Sequence, residues 1–149
     1  MSARLGMALV GLGAATQPHL RSLQDLTERI DLRYAVTRHP HLDRIQPYTG
    51  PVRLVSTLDE ALADPLVQAV IVATPPSNHL DICQRCFAAG KHVLLEKPLE
   101  LNLERSQQLV ALAQQSGLHL GVVLQHRFRP ASLVLQEVLD SGRLGEIQA

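Results

Sequence analysis

The sequence has 149 residues, of which 46% are hydrophobic and 3% are aromatic, and its 14 basic side chains balance its 14 acidic ones. This composition can form the core of one compact domain, and its neutral charge excludes a bulk electrostatic attraction to nucleic acid or to an anionic membrane. No apolar stretch approaches the ~20 residues that cross a bilayer.

Residues 1–10 are typical of a first strand rather than of a signal peptide, because their apolar run continues directly into glycines. We therefore expect a cytoplasmic protein with no membrane and no nucleic-acid partner. In such a compartment Cys83 and Cys86 stay reduced, and we expect two helix thiols, at least one of them packed, rather than a redox or metal site.

Short apolar runs rich in β-branched residues alternate with helical segments, which is the pattern of parallel βαβ units. The runs predict strands over residues 5–10, 31–36, 52–55, 69–73, 92–96 and 118–124. The segments between and after them predict helices over residues 16–29, 58–63, 79–89, 103–115 and 131–139. Several strands are apolar throughout, as strands covered on both faces are. The sequence predicts an α/β fold, a doubly wound Rossmann-type parallel sheet in three layers.

Residue types at the predicted helix ends agree with these limits. Thr57 with Glu60 predicts a capping box, and Asn102 predicts an N-cap. Glycines follow three helical segments where a left-handed residue is favoured, at Gly90, Gly117 and Gly142.

A glycine motif, Gly-Leu-Gly-Ala-Ala-Thr, lies at residues 11–16 between the first strand and the first helix. This is the position of the G-x-G-x-x-G dinucleotide fingerprint, in which glycines let the backbone approach a pyrophosphate at a helix N-terminus. The third glycine is replaced by Thr16, whose hydroxyl is available to a phosphate or to the helix end. We predict cofactor contacts from Gly11, Gly13, Ala14, Ala15 and Thr16.

The second strand ends in Thr37 and Arg38, about 20 residues beyond the glycines, where an NAD site has an acidic residue. A guanidinium and a hydroxyl suit a 2′-phosphate better than a bare ribose diol. We therefore predict NADP as the preferred cofactor, with NAD as the other possibility. The competing interpretation is a loop arginine that faces solvent.

Polar residues follow the later strands, and ligands of open parallel sheets bind outside the carboxyl ends of the strands. These segments are residues 74–79, 96–98 and 125–128. The predicted contacts there are Thr74, Pro75, Asn78, His79, Glu96, Lys97, Gln125 and Arg127. His79 and His126 have no third ligand at suitable spacing, so we predict no metal site.

Three segments resemble the Gfo/Idh/MocA family, the relatives of glucose–fructose oxidoreductase and inositol dehydrogenase. They are Ala-Thr-Pro-Pro-Ser-Asn-His at 73–79, Ala-Gly-Lys-His-Val-Leu-Leu-Glu-Lys-Pro at 89–98 and Arg-Phe-Arg-Pro at 127–130. Val10-Gly11-Leu12-Gly13 and His19 fit the same pattern. The resemblance covers nearly the whole chain.

The resemblance implies an NAD(P)-dependent oxidoreductase that acts on the CH–OH groups of sugars, inositols or similar polyols. It places Lys97 beside the nicotinamide and the substrate hydroxyl as the catalytic residue, and implies a cis Lys97–Pro98 bond. Two departures are Thr16, in place of a small residue, and Thr37-Arg38, in place of an acid. The alternatives are a non-catalytic NADP(H) sensor and, less favoured because it leaves Glu96-Lys97-Pro98 unexplained, an S-adenosylmethionine-dependent methyltransferase.

Members of the family are typically more than twice this long. We therefore expect a cofactor domain over residues 1–124 and, over 125–149, a linking helix with the start of an α+β substrate domain that is otherwise missing. Such a chain is expected to bind a dinucleotide but to turn over substrate poorly. The apolar residues of 132–139 predict an exposed patch and a homo-oligomer.

Overall fold

The computed structural model describes residues 3–38 and 42–146. Its strands are β1 Leu5–Val10, β2 Ile30–Val36, β3 Arg53–Val55, β4 Ala69–Val72, β5 His92–Glu96 and β6 Leu120–Val123. Its α-helices are α1 Thr16–Asp25, α2 Leu58–Leu62, α3 His79–Ala88, α4 Leu103–Ser116 and α5 Pro130–Asp140. Single 3₁₀ turns lie at Leu42–Ile45, Pro76–Asn78 and Gln125–Phe128.

The six strands form one parallel sheet in the order β3-β2-β1-β4-β5-β6. The chain order reverses between β1 and β4, where Val10 pairs with Val36 on one side and with Val72 on the other. This is the topology of a Rossmann fold, so the predicted fold class is confirmed. A crevice opens at such a reversal, and it positions the site described below.

The core lies on both faces of the sheet, which explains why strands such as β1 and β4 have no polar side chains. Alternate residues of β1 enter different hydrophobic clusters, since Ala8 and Val10 face α2, α3 and α4 whereas Met7 and Leu9 face α1. A strand covered on both faces buries every side chain, and period-two alternation of polar residues is lost.

Several element boundaries differ from the predicted ones by one to four residues. The first helix ends at Asp25 rather than at residue 29, because the amides of Arg29 and Ile30 both bond to Leu26 O in a turn that leads into β2. The last strand spans Leu120–Val123 instead of 118–124. Leu118 N donates to Ser116 Oγ and therefore not to the neighbouring strand β5.

The predicted helix ends are largely confirmed. Asn102 Oδ1 accepts from Arg105 N at 2.9 Å, and Gly90, Gly117 and Gly142 all have positive φ. The predicted capping box does not form. Thr57 Oγ1 donates to the Glu60 carboxylate at 2.8 Å, and no described backbone amide donates to the Thr57 hydroxyl.

α5 is the least packed helix, because none of its residues is buried. Among the described residues, no helix has the length and hydrophobicity needed to cross a bilayer.

Candidate cofactor site

A cleft of about 420 Å³ opens at the carboxyl edge of the sheet, where the chain order reverses. Its walls come from the glycine turn after β1, the ends of β2 and β3, the loop after β4 and one side of α3. Of the predicted contacts it brings together Gly11, Gly13, Thr37, Arg38, Thr74, Pro75 and Asn78. Residues that sequence reasoning missed also line it, among them Arg44, Ser56, Leu58, Ile82 and Arg85.

Gly11 is a glycine because the fold requires one there. Its φ is 91°, a left-handed conformation, and a Cβ on it would lie 2.6 Å from Ala73 O. Its amide donates to Val36 O at 3.0 Å, which fixes the turn to the end of β2. The first glycine therefore forms the tight turn and lets it lie against the end of β4.

Gly13 differs, because neither its backbone nor its packing requires glycine. It has no positive φ, and a Cβ built on it would meet no atom within 4 Å. The residue lines the cleft, and the open space lies where a ligand would approach the backbone. Among the described residues, the amides of Gly13, Ala14 and Ala15 have no hydrogen-bond acceptor. Free amides at the start of α1 fit the pyrophosphate of a dinucleotide.

Thr16 supports the turn from inside the protein and does not line the cleft. Its side chain is 1% exposed, its hydroxyl donates to Gly11 O at 3.1 Å, and its amide donates to Gly13 O at 3.1 Å. A threonine thus replaces the third glycine by bonding to the turn. Of the two roles predicted for this hydroxyl, a contact to a phosphate or to the helix end, the structure shows a bond to the turn at the start of the helix.

Two exposed arginines of the cleft lining, Arg38 and Arg44, follow β2 in the chain. Thr37 N donates to Val55 O at 3.0 Å, and the exposed Arg38 follows it. Arg44, also exposed, reaches the cleft from the 3₁₀ turn Leu42–Ile45. Arg85 lines the cleft too, but it is paired with Asp59. The loop of residues 39–52 has no sequence pattern that distinguishes Arg44 as a cleft residue.

His79 is buried beneath the cleft rather than exposed in it. The side chain is 0% exposed. Nε2 lies 3.0 Å from Thr74 O, and Nδ1 lies 3.1 Å from Pro98 O. It thus joins the loop after β4 to the loop after β5, and it does not line the cleft as the predicted cofactor contact.

Glu96 and Lys97 lie at the end of β5, outside the lining of the cleft. Lys97–Pro98 is a cis peptide bond, as the resemblance implies. The Glu96 carboxylate lies 2.7 Å from His19 Nε2, so its partner is a histidine of α1 and not Lys97. The Lys97 side chain is exposed, and no described residue forms a hydrogen bond or ion pair with its ammonium.

Gln125 and Arg127 are exposed on the 3₁₀ turn after β6 and do not line the cleft. The structure thus leaves Ala14, Ala15, Thr16, His79, Glu96, Lys97, Gln125 and Arg127 outside the lining, with Ala14 and Ala15 at its glycine end. Among the described residues, no three His, Cys, Asp or Glu side chains are grouped so as to hold a metal ion.

Glu100 is a buried acid that sequence reasoning missed. Its carboxylate accepts from the Arg105 guanidinium at 2.9 Å and from the amides of Leu80 and Leu101. These bonds, the Arg105 bond above all, lower its pKa from 4.5 to about 2. Glu100 thereby ties the loop after β5 to α3 and α4. The type of residue alone gives no signal for this role, because acids usually lie at the surface.

A parallel sheet with a glycine turn and free amides at its switch point defines a dinucleotide-binding domain. Residues 5–124 match the family model described as "Oxidoreductase family, NAD-binding Rossmann fold". The chain belongs to this family, the Gfo/Idh/MocA oxidoreductases.

Three relatives illustrate the family. The oxidoreductase YhhX of Escherichia coli is 32% identical over 144 residues, 96% of this chain and 42% of YhhX, and its crystal structure superposes with a TM-score of 0.87. Inositol 2-dehydrogenase of Rhizobium meliloti is 34% identical over 68% of this chain and 30% of its own length. The WlbA dehydrogenase of Bordetella pertussis, solved with NADH and UDP-GlcNAcA, is 27% identical with a TM-score of 0.88, over 97% of this chain and 44% of WlbA. The chain spans less than half the length of each of these relatives.

Proposed function

We propose that residues 1–124 are the cofactor-binding domain of an NADP(H)-dependent dehydrogenase that acts on a CH–OH group of a sugar or polyol. Residues 125–149 would link it to a substrate domain. The observation that carries the proposal is the cleft itself, which is lined by Gly13, whose amide is free, and by the exposed Arg38 and Arg44. A pyrophosphate would bind the amides, and a 2′-phosphate would bind the two arginines.

The preference for NADP over NAD rests on charge. Arg38 and Arg44 are both exposed and line the cleft, so their guanidinium groups are available to a dianionic phosphate. A bare ribose diol would have no acidic partner from Thr37 or Arg38. Guanidinium bonds to phosphate are charge-assisted and frequently bidentate, which gives them a strength that neutral hydrogen bonds lack.

Lys97 would carry the proton chemistry. NADP(H), when bound, supplies or accepts the hydride. In the oxidation direction the substrate hydroxyl must lose its proton. Lys97 Nζ, an exposed group at the carboxyl end of β5, would orient the hydroxyl and, in its neutral amine form, would accept that proton to become the ammonium. The sugar and inositol dehydrogenases among the relatives support a hydroxyl-bearing substrate.

Titration calorimetry of the 149-residue chain with NADP and with NAD tests the cofactor assignment. We expect tighter binding of NADP. The variants Arg38→Ala and Arg44→Ala should each weaken NADP by about tenfold or more, because a hydrogen bond to a charged group contributes roughly 1.5–3 kcal/mol. NAD should bind to both variants as it binds to the wild type.

Arg29→Ala is the matched control, since Arg29 is exposed before β2, at the amino edge of the sheet. It should change neither affinity. Equal affinity of the wild type for NADP and NAD would refute the cofactor preference, and no binding of either would refute the dinucleotide site.

The catalytic assignment needs a protein of the relatives' length. There Lys97→Ala should lower kcat by about 10²–10⁴-fold, the usual contribution of a positioned acid or base, with the Kd of NADPH unchanged. The 149-residue chain alone should bind NADPH without measurable polyol turnover. A long protein that binds NADPH but oxidises no sugar or polyol would favour the non-catalytic sensor.

A further inference from the structure

His19 and Glu96 join two parts of the site that are 77 residues apart in the sequence. Nε2 of His19 lies 2.7 Å from Glu96 Oε1, and the two side chains are 11% and 13% exposed. An ionised carboxylate accepts hydrogen bonds but cannot donate them, so Nε2 carries the proton of this bond. Shielding from solvent strengthens a bond between an imidazole N–H and a carboxylate.

His19 belongs to the helix that starts at the glycine turn. α1 begins at Thr16, whose hydroxyl and amide bond to Gly11 O and Gly13 O. Leu20 and Leu23 of the same helix are buried in the core. The imidazole is therefore carried by a helix that is fixed both to the turn and to the sheet.

Glu96 uses its second oxygen on the main chain of the next residue. Oε2 accepts from Lys97 N at 3.1 Å. On the other side of Lys97, the buried His79 lies 3.1 Å from Pro98 O and 3.3 Å from Leu99 O. No described residue bonds to the Lys97 ammonium, so the hydrogen bonds of its main chain fix the point from which this side chain extends.

We propose that His19 is a positioning residue for Lys97. It orients the Glu96 carboxylate, and that carboxylate orients the Lys97 amide. The glycine turn and the end of β5 that leads into Lys97 therefore form one rigid unit. The link to catalysis and to the nicotinamide half of the cofactor rests on the proposed function, whereas the link from His19 to the Lys97 amide does not.

Two substitutions of His19 separate a positioning role from a general structural one. The amide nitrogen of His19→Gln reaches about as far as imidazole Nε2, so this variant can still donate to Glu96. The amide nitrogen of His19→Asn corresponds to Nδ1 and falls short of the carboxylate. Both variants have a neutral amide in place of the ring, and they differ in reach.

The first measurement is the NMR resonance of the Lys97 amide in the 149-residue chain. It should shift upfield in His19→Asn, because the bond to Glu96 weakens, and return to its wild-type position in His19→Gln. The second measurement is kcat in a protein of the relatives' length. It should fall about tenfold in His19→Asn, which corresponds to ~1.4 kcal/mol of transition-state stabilisation, and recover in His19→Gln. The Kd of NADPH should stay unchanged in both variants, as it should in Lys97→Ala.

His119→Asn is the matched control. His119 is exposed directly before β6, at the amino edge of the sheet, whereas Lys97 lies at the carboxyl edge. Its substitution should leave both readouts unchanged. If His19→Asn does not fold, Glu96→Gln replaces it. A glutamine has one acceptor oxygen for two donors, so the same changes are expected.

A wild-type Lys97 resonance in His19→Asn would overturn the proposal, and so would an equal loss in His19→Asn and His19→Gln. Failure of the wild-type chain to bind NADPH would refute the proposed function. In that case the Lys97 resonance still decides whether His19 positions Lys97.

Discussion

Glu100 and Arg105 form an ion pair beside the segment that carries Lys97. Arg105 Nη2 lies 2.9 Å from Glu100 Oε1, and the Glu100 side chain is 0% exposed. The amides of Leu80 and Leu101 donate to the same carboxylate. A buried charge with three donors is stable while all of them are present, and the loss of the acid would leave those donors without a charged acceptor.

Glu100→Gln should therefore destabilise the chain by about 2 kcal/mol, since one neutral oxygen cannot replace two charged ones. Urea unfolding at neutral pH measures the loss. Glu28→Gln is the control, because Glu28 is exposed in the turn after α1, and it should change the free energy of unfolding by less than about 0.5 kcal/mol. Equal effects of the two substitutions would contradict a structural role for the Glu100 carboxylate.

The same carboxylate should make stability depend on pH. Its bonds, chiefly the one from Arg105, lower its pKa from 4.5 to about 2 in the folded chain. The unfolded chain then takes up the proton first, so this stabilisation is complete above pH 4.5 and is lost as the pH falls towards 2. The stability difference between the wild type and Glu100→Gln should shrink over this interval. A constant difference would show that folding leaves the pKa of Glu100 unchanged.

The two glycines of the turn should respond to alanine in opposite ways. Gly11→Ala should destabilise the chain by about 1–3 kcal/mol, because the φ of 91° is strained for alanine and the Cβ would lie 2.6 Å from Ala73 O. Gly13→Ala should change stability by less than about 0.5 kcal/mol, since its Cβ would meet no atom within 4 Å.

Binding should show the reverse contrast for Gly13. Its new methyl group would occupy the space where the backbone is open to a pyrophosphate, so the Kd of NADPH should rise about tenfold or more. Thermal unfolding and calorimetry on the same preparation separate the two effects. Wild-type affinity in a folded Gly13→Ala variant would place the pyrophosphate elsewhere.

The fold could be predicted because alternation and glycine placement are local signals. Runs such as β1 and β4 need only short windows to be recognised, and Gly11 follows directly from the turn. The long-range partners could not be predicted in this way. Glu96 resembles an ion-pair partner for the adjacent Lys97, yet the structure pairs its side chain with His19 of α1, which is 77 residues away in the sequence.

The cleft position of Arg44 and the burial of His79 could not be predicted, for related physical reasons. Arg44 enters the cleft from a loop whose path has no periodicity to indicate it. His79 lies in a segment where polar residues face the cleft, and a single sequence does not distinguish an imidazole that bonds to two carbonyls from one that faces a ligand. Burial of a polar group depends on partners that are distant in the chain.

The two cysteines should be unreactive in the folded chain. Cys83 and Cys86 both lie on a helix, as predicted, and both are buried where at least one was expected to be. Burial raises the pKa of both thiols to about 12. The thiolate is the reactive form, so labelling with a disulfide reagent near pH 8 should be slow and should accelerate when urea unfolds the chain. Rapid labelling of two thiols without denaturant would contradict this packing.

α5 should make the 149-residue chain associate with itself. Three consecutive apolar residues of this helix, Leu133, Val134 and Leu135, are 50%, 58% and 56% exposed. An apolar patch of this kind is removed from water when two copies meet, so the mass from light scattering should rise with protein concentration. Val134→Ser with Leu135→Gln should reduce the rise. Gln136→Ser on the same helix should leave it intact, because it removes no apolar surface. A monomeric mass for the wild type at high concentration would show that exposed apolar residues on α5 are insufficient to drive association.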